Sequence, residues 1–144
     1  MSNEYSSSFY LDCIQKTLSH VHFRDQFPQL KFFSDKKYRL ILLYELMKNH
    51  YLKIQDDINT NFIPTKETFY HIVSPYVSRL SMTKFIDRMV ETGVLIKRSH
   101  TEDKRKQILS PSVQLIEEFE TMHQQREQEL QKKKLKIFSI LTEN

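Results

Sequence analysis

A mainly α fold with one small β-hairpin is the class this sequence predicts, and three observations carry the prediction. Apolar residues recur at helical spacing in successive segments along most of the chain. Glycine is nearly absent, one residue in 144, where average proteins hold ~7%. The β-branched stretches that could pair as strands are short and flank the charged run at 100–105. At 39% hydrophobic and 28% charged residues the chain can form a core and a solvated surface, and its length suits one domain.

The first helix is expected over Tyr5 to His22, where Phe9, Cys13, Leu18 and Val21 fall near helical spacing and Leu11 and Ile14 fill in. Pro28 belongs to the connection that follows. Ser34 offers an N-cap with Asp35 in the first turn of the next helix. Tyr38, Ile41, Leu42, Leu43, Tyr44, Leu46 and Met47 make that helix apolar nearly all round, so it should be the most buried. Asp56 to Asn61 reads as a loop, and Phe62 with Ile63 suits a very short strand ending at Pro64.

Thr65, Glu67 and Thr68 mark a further helix start, with Phe69, Ile72 and Val73 facing inward until Ser74 and Pro75 stop it. Ser78 then caps a helix through Thr92, whose buried face is Met82, Phe85, Ile86, Met89 and Val90. Gly93 stands at its C′ position, where a left-handed residue without a Cβ closes a helix. Val94 to Ser99 and Lys106 to Ser110 form the hairpin, with a charged tip over His100 to Arg105. Ser110 as N-cap and Pro111 at the first helical position launch a last helix, striped by Val113, Ile116, Phe119 and Met122 or His123. Apolar character returns at Leu135, Ile137, Phe138, Ile140 and Leu141.

Several functions are excluded by these residues. Phosphate-cradling and dinucleotide-binding loops need several glycines at fixed offsets, because a Cβ holds the backbone away from the phosphates. One cysteine allows neither an internal disulfide nor a paired-cysteine zinc site, which fits a reducing cytosol. The longest strongly apolar run, Leu40 to Tyr44, is far below the ~18 residues of a membrane span, and the polar start Met1 to Ser8 does not read as a signal peptide. A cytoplasmic protein is expected, with no membrane partner.

His20 and His22 are two apart, a poor spacing for two ligands on one helix face, and His50, His71, His100 and His123 are scattered, so no metal site is expected. His71 beside Tyr70 could line an effector cavity. Asp56 with Asp57 and Glu117 with Glu118 are adjacent pairs that point apart, so no acid and base pair is assigned. Neither a catalytic constellation nor a cofactor site is expected, and the chain does not read as an enzyme.

Charge is placed unevenly. From Ser78 to Lys106 there are eight bases, Arg79, Lys84, Arg88, Lys97, Arg98, Lys104, Arg105 and Lys106, against four acids. The remaining 14 bases and 14 acids cancel, so the whole net charge of +4 belongs to one helix and one hairpin. That distribution suits a polyanionic backbone. Helix, proline turn, helix, glycine stop and charged hairpin is also the element order of a winged helix-turn-helix, whose second helix enters the major groove. If Met82, Phe85, Ile86 and Met89 face inward, Arg79, Leu80, Thr83, Lys84 and Asp87 face outward. Ser78, Arg79, Ser81, Thr83 and Lys84 are then the base-reading end, and Arg88, Lys97, Arg98, Lys104, Arg105 and Lys106 meet phosphates or the minor groove.

The stretch from Tyr76 through Val77, Ser78, Arg79 and Leu80 to Gly93, Val94 and Leu95 resembles the recognition helix of MarR-type (multiple antibiotic resistance regulator) transcription factors. The run Glu102, Asp103, Lys104, Arg105, Lys106, Gln107, Ile108, Leu109, Ser110 is similar to the wing motif of that family, an Asp-x-Arg pair followed by a strand and a helix cap. The likeness covers Thr65 to Phe119. It implies a single domain over 1–144, with a winged helix-turn-helix core at 35–110 and dimerisation helices at 5–22 and 112–141. It also implies that Asp103 orients Arg105, that the first and last helices pair across a two-fold axis, and that a small-molecule effector of unknown identity could exist. Some members that sense peroxides carry a reactive cysteine near such a place in the N-terminal helix, which is what would make Cys13 a redox sensor. Read from spacing alone, with only Lys16 as a basic neighbour, Cys13 is instead a small buried hydrophobe. The expected function is a homodimeric, sequence-specific regulator on double-stranded DNA. The alternatives are a winged-helix module that binds protein, or a redox regulator built on Cys13.

Overall fold

The computed structural model describes residues 5–55 and 62–142. Two compact units divide the chain, Phe32–Glu117 and a second built from Met1–Lys31 with Glu118–Asn144. In order the elements are α1 (Ser7–Arg24), α2 (Pro28–Lys31), α3 (Lys37–Ile54), α4 (Lys66–Val73), α5 (Arg79–Glu91), β1 (Leu95–Ser99), β2 (Gln107–Pro111) and α6 (Val113–Thr142). The mainly α class with a hairpin is as the sequence predicts. The expected loop at Asp56 to Asn61 lies outside the described residues.

Phe32–Glu117 closes around Phe85, whose ring meets Phe33 at 5.4 Å and Tyr38 at 6.0 Å, both edge-on. Tyr38, Leu42, Leu43, Leu46 and Met47 of α3 are buried, as are Phe69 and Val73 of α4 and Met82, Ile86 and Met89 of α5. Helix α3 packs on α4 and β2, α4 on α5, and α5 on β1. The N-cap of α3 is Lys36, with no side-chain bond, and not Ser34. Asp35 lies outside that helix and reaches back to Arg39 at 3.8 Å.

Two further boundaries differ from the sequence reading. Phe62 and Ile63 form no strand, because the Ile63 carbonyl accepts from the Thr65 N–H and the Thr68 hydroxyl and so is turned into the cap of α4. That cap is reciprocal: Thr65 Oγ1 accepts from the Thr68 N–H at 3.2 Å, and Thr68 Oγ1 from the Thr65 N–H at 2.9 Å. Pro111 does not open α6 but ends β2, paired with Leu95. Ser112 is the cap, its hydroxyl accepting from the Leu115 N–H at 3.0 Å. The buried residues of α6 are Leu115, Glu118, Met122 and Leu130, with Ile116, Phe119 and His123 of the expected stripe half-buried and Val113 exposed.

In the other unit Pro28 is the first residue of α2, where its missing N–H costs nothing. Glu118, buried, accepts from the Gln29 and Leu30 N–H groups at 2.9 and 3.3 Å and so satisfies the start of that short helix. Between α1 and α6, Arg126 Nη1 meets His20 Nδ1 at 2.8 Å, and the rings of His20 and His123 lie 5.3 Å apart. Burial, then the charges of Arg126 and Arg24, push the His20 imidazole down to about 4. Tyr5, Phe9 and Tyr10 at one end of the chain and Ile137, Phe138, Ile140 and Leu141 at the other are exposed.

Candidate nucleic-acid interface

Helix α5 begins at the Ser78 cap, whose hydroxyl accepts from the Ser81 N–H at 3.2 Å and contacts the Ser81 hydroxyl at 3.1 Å. With Met82, Phe85, Ile86 and Met89 buried, the opposite side of the helix presents Arg79, Leu80, Ser81, Lys84 and Arg88 to solvent. Thr83, expected on that outward side, is half-buried at its edge. At the far end the Val94 N–H donates to the Met89 carbonyl and the Gly93 N–H to Val90, with Gly93 at φ +79°. This is the left-handed closure that the position of the glycine predicts.

The hairpin sets Leu95, Ile96, Lys97, Arg98 and Ser99 against Pro111, Ser110, Leu109, Ile108 and Gln107. Lys97, Arg98, Lys104, Arg105 and Lys106 are all exposed on it. Asp103 Oδ1 accepts from the Arg105 N–H at 3.1 Å and lies 3.5 Å from Arg105 Nε, while the arginine side chain stays 94% exposed. His100, read from sequence as one of the scattered histidines, organises the same tip. Its Nδ1 accepts from the N–H groups of Glu102 and Asp103, each at 3.1 Å. Nothing in the residue types announces that role, which depends on the turn's own backbone.

Helix α4 contributes residues that the sequence reading used only as a helix start. Glu67 Oε2 takes Arg79 Nη1 at 2.6 Å, and the Arg79 guanidinium lies 4.3 Å from the Tyr70 ring. The hydrogen bond from Arg79 holds the Glu67 carboxyl below its ordinary range, and the same bond raises Arg79. Lys66 pairs with Asp87 across the same two helices. Between the start of α4 and the wing lies a cavity of about 610 Å³, floored by Phe62, Ile63 and Leu109 and rimmed by Lys66, Lys97 and Arg105.

Two expectations are corrected here. His71, expected beside an effector cavity, is an exposed residue 3.5 Å from Glu67 and is not among the residues lining the cavity between α4 and the wing. Cys13 is exposed and not a buried hydrophobe, because α1 turns that side outward, and Lys16 beside it pairs with Asp12 at 3.0 Å. Among the described residues no group of three His, Cys, Asp or Glu side chains is placed to hold a metal, and no helix is long and apolar enough to cross a membrane.

No family model and no curated protein matches the sequence. Solved structures do match in three dimensions. A MarR transcription factor from Planctomyces limnophilus is 14% identical, with a TM-score of 0.51 over 99% of this chain and 98% of that one. The chain has the MarR fold. A mutant of S. aureus MepR bound to an oligodeoxyribonucleotide gives 0.55 at 13% identity, over 97% of this chain and 96% of its own. MepR bound to ethidium bromide gives 0.52 at 17%, over 99% and 96%. The MarR fold therefore extends over nearly the whole chain, well beyond the Thr65 to Phe119 stretch that carries the sequence resemblance.

Proposed function

We propose that the protein is a sequence-specific regulator of transcription that binds double-stranded DNA as a homodimer, α5 entering the major groove and the wing lying on the minor groove or phosphates. One observation carries the reading: the entire net charge of the chain belongs to an exposed helix face and an exposed hairpin of one unit. The likeness in fold to a MepR variant bound to an oligodeoxyribonucleotide supports it. Ser78, Arg79, Ser81, Thr83 and Lys84 form the base-reading end; Arg88, Lys97, Arg98, Lys104, Arg105 and Lys106 supply phosphate contacts, with Asp103 steering Arg105. A single domain with its core at 35–110 and dimerisation helices at 5–22 and 112–141 belongs to the same reading.

A second copy is the natural cover for the exposed apolar residues of α1 and the end of α6, and two-fold pairing would offer two recognition helices to two half-sites. A small-molecule effector is part of the proposal by analogy of fold with the ethidium-bound MepR. The protein is read as a regulator and not as an enzyme, acting in the cytoplasm.

Binding to duplexes selected from a random pool, measured across a salt series, tests the reading. Each phosphate contact contributes a slope of about 0.9 in log K against log salt, so affinity should fall steeply, and Arg105→Ala should reduce the slope by about one on any duplex. Lys84→Ala should instead change which sequences are preferred. A salt-insensitive association, or none, would favour the protein-binding module.

A further inference from the structure

Arg79 opens α5, yet its strongest partner stands on α4. We infer that Glu67 is a positioning residue for Arg79: it occupies one edge of the guanidinium and cancels its charge, so that Arg79 responds to a base edge and not to phosphate. The inference rests on the DNA-binding reading above and adds to it a residue that sets sequence discrimination.

The geometry supports this in three ways. Glu67 Oε2 takes Nη1 at 2.6 Å and Oε1 takes Nη2 at 3.4 Å, across the end of the fork. A guanidinium carries five N–H groups, so the edge made by Nε and its adjacent Nη remains, with the spacing that guanine O6 and N7 require. The Arg79 guanidinium stands over the Tyr70 ring, 4.3 Å from its centroid, and His71 Nε2 lies 3.5 Å from Glu67 Oε1.

The electrostatics give the arrangement a purpose. A bare arginine at the head of a recognition helix gains affinity for every duplex through counterion release, which carries no sequence information. A paired one contributes little to that term while keeping its hydrogen-bonding edge. The same two helices neutralise Lys66 with Asp87. By contrast Lys97, Arg98, Lys104 and Lys106 of the hairpin make no ion pair among the described residues. General attraction is thus left to the wing and to Arg88 farther along α5, and discrimination to the head of that helix, a division that works by suppressing the wrong partner as well as favouring the right one.

The test compares a duplex selected by the wild-type protein with a random duplex, across a salt series. Glu67→Gln keeps the shape but removes the charge. The salt slope on random DNA should steepen by about one unit, and the preference for the selected duplex should fall roughly tenfold, the value of one bidentate base contact. Placed on Arg79→Ala, the same change should alter neither quantity, because its effect passes through Arg79. Arg79→Lys, which keeps a charge but cannot span two acceptors, should lose the preference whether position 67 holds Glu or Gln. A Glu67→Gln protein with the wild-type melting temperature, slope and preference would overturn the inference, as would an undiminished effect on Arg79→Ala. A wild-type protein that prefers no duplex over random DNA would overturn the function itself, and this inference with it.

Discussion

Phe32–Glu117 and the unit built from the two ends of the chain are constructed on different principles. Of the nineteen buried apolar residues among those described, sixteen lie in Phe32–Glu117 and three, Leu30, Met122 and Leu130, in the terminal unit. Burial in the terminal unit falls also on polar groups, Ser19, Arg24 and Glu118, while twelve of the eighteen exposed large hydrophobic residues among those described are found there. The difference teaches that the winged portion holds its own shape. The helical ends have apolar surface still to be covered, and a second copy of the chain is the cover proposed above.

The sharpest way to break this contrast is to cut one large side chain from each side. Phe85→Ala removes the ring at the centre of the apolar cluster and should cost about 3–5 kcal/mol in denaturant unfolding. A loss below about 1 kcal/mol would mean the cluster is not what holds that unit. Phe138, 66% exposed, should behave differently. Phe138→Glu should leave a single chain folded but raise the dimer dissociation constant about tenfold to a hundredfold, as expected for one aromatic side chain worth ~1.5–3 kcal/mol at an interface. Sedimentation that finds the dimer unchanged would remove the proposed role of the terminal helices.

Smaller changes sharpen the comparison. Gly93 has φ +79°, and a Cβ added there would meet no atom within 4 Å, so the penalty for Gly93→Ala is conformational alone. It should be about 1–2 kcal/mol in thermal unfolding. A higher melting temperature would contradict the left-handed closure of α5, since alanine stabilises only where φ is negative.

The smallest effect belongs to the terminal unit and depends on pH. His20 titrates near its ordinary 6.5 in the unfolded chain and at about 4 in the folded one. Between these values the unfolded state carries the extra proton, so stability falls as pH drops from 6.5 to 4 and levels off below. Since the ring is only partly buried, the loss should be on the order of 1 kcal/mol. His20→Gln should flatten unfolding curves across this window while leaving those above pH 7 unchanged; equal slopes in both proteins would exclude His20 as the titrating group.

Most helices and the hairpin were legible because each is amphipathic over several turns and several are bounded by a residue with one physical job: Thr65, Ser78 and Gly93 stand where their chemistry puts them. Helix α2 was not legible, since four residues have no periodicity and its start is satisfied by Glu118, about ninety positions away in the chain. Pro111 misled for a related reason. Serine followed by proline suits a helix start, but pairing with Leu95 holds Pro111 in the strand and passes the cap to Ser112. In the candidate interface the cations were readable as a charge cluster. Their partners were not, because Glu67 and Arg79 stand twelve residues apart and meet only through the turn between α4 and α5.

One backbone contact bears on how the hairpin can move. The Leu109 N–H donates to the Pro64 carbonyl at 2.8 Å, tying the middle of β2 to the segment that leads into α4. At the other end the His100 N–H donates to the Lys106 carbonyl at 2.9 Å, and the Lys106 N–H to that of Asp103 at 3.0 Å, so the tip is knotted on itself. The wing is therefore moored at two places, at Leu109 by the segment before α4 and at its own tip, with the ladder of Arg98–Ile108 and Ser99–Gln107 between them. The strand that runs back from Arg105 is thus moored to the root of α4, whose Glu67 grips Arg79 of α5.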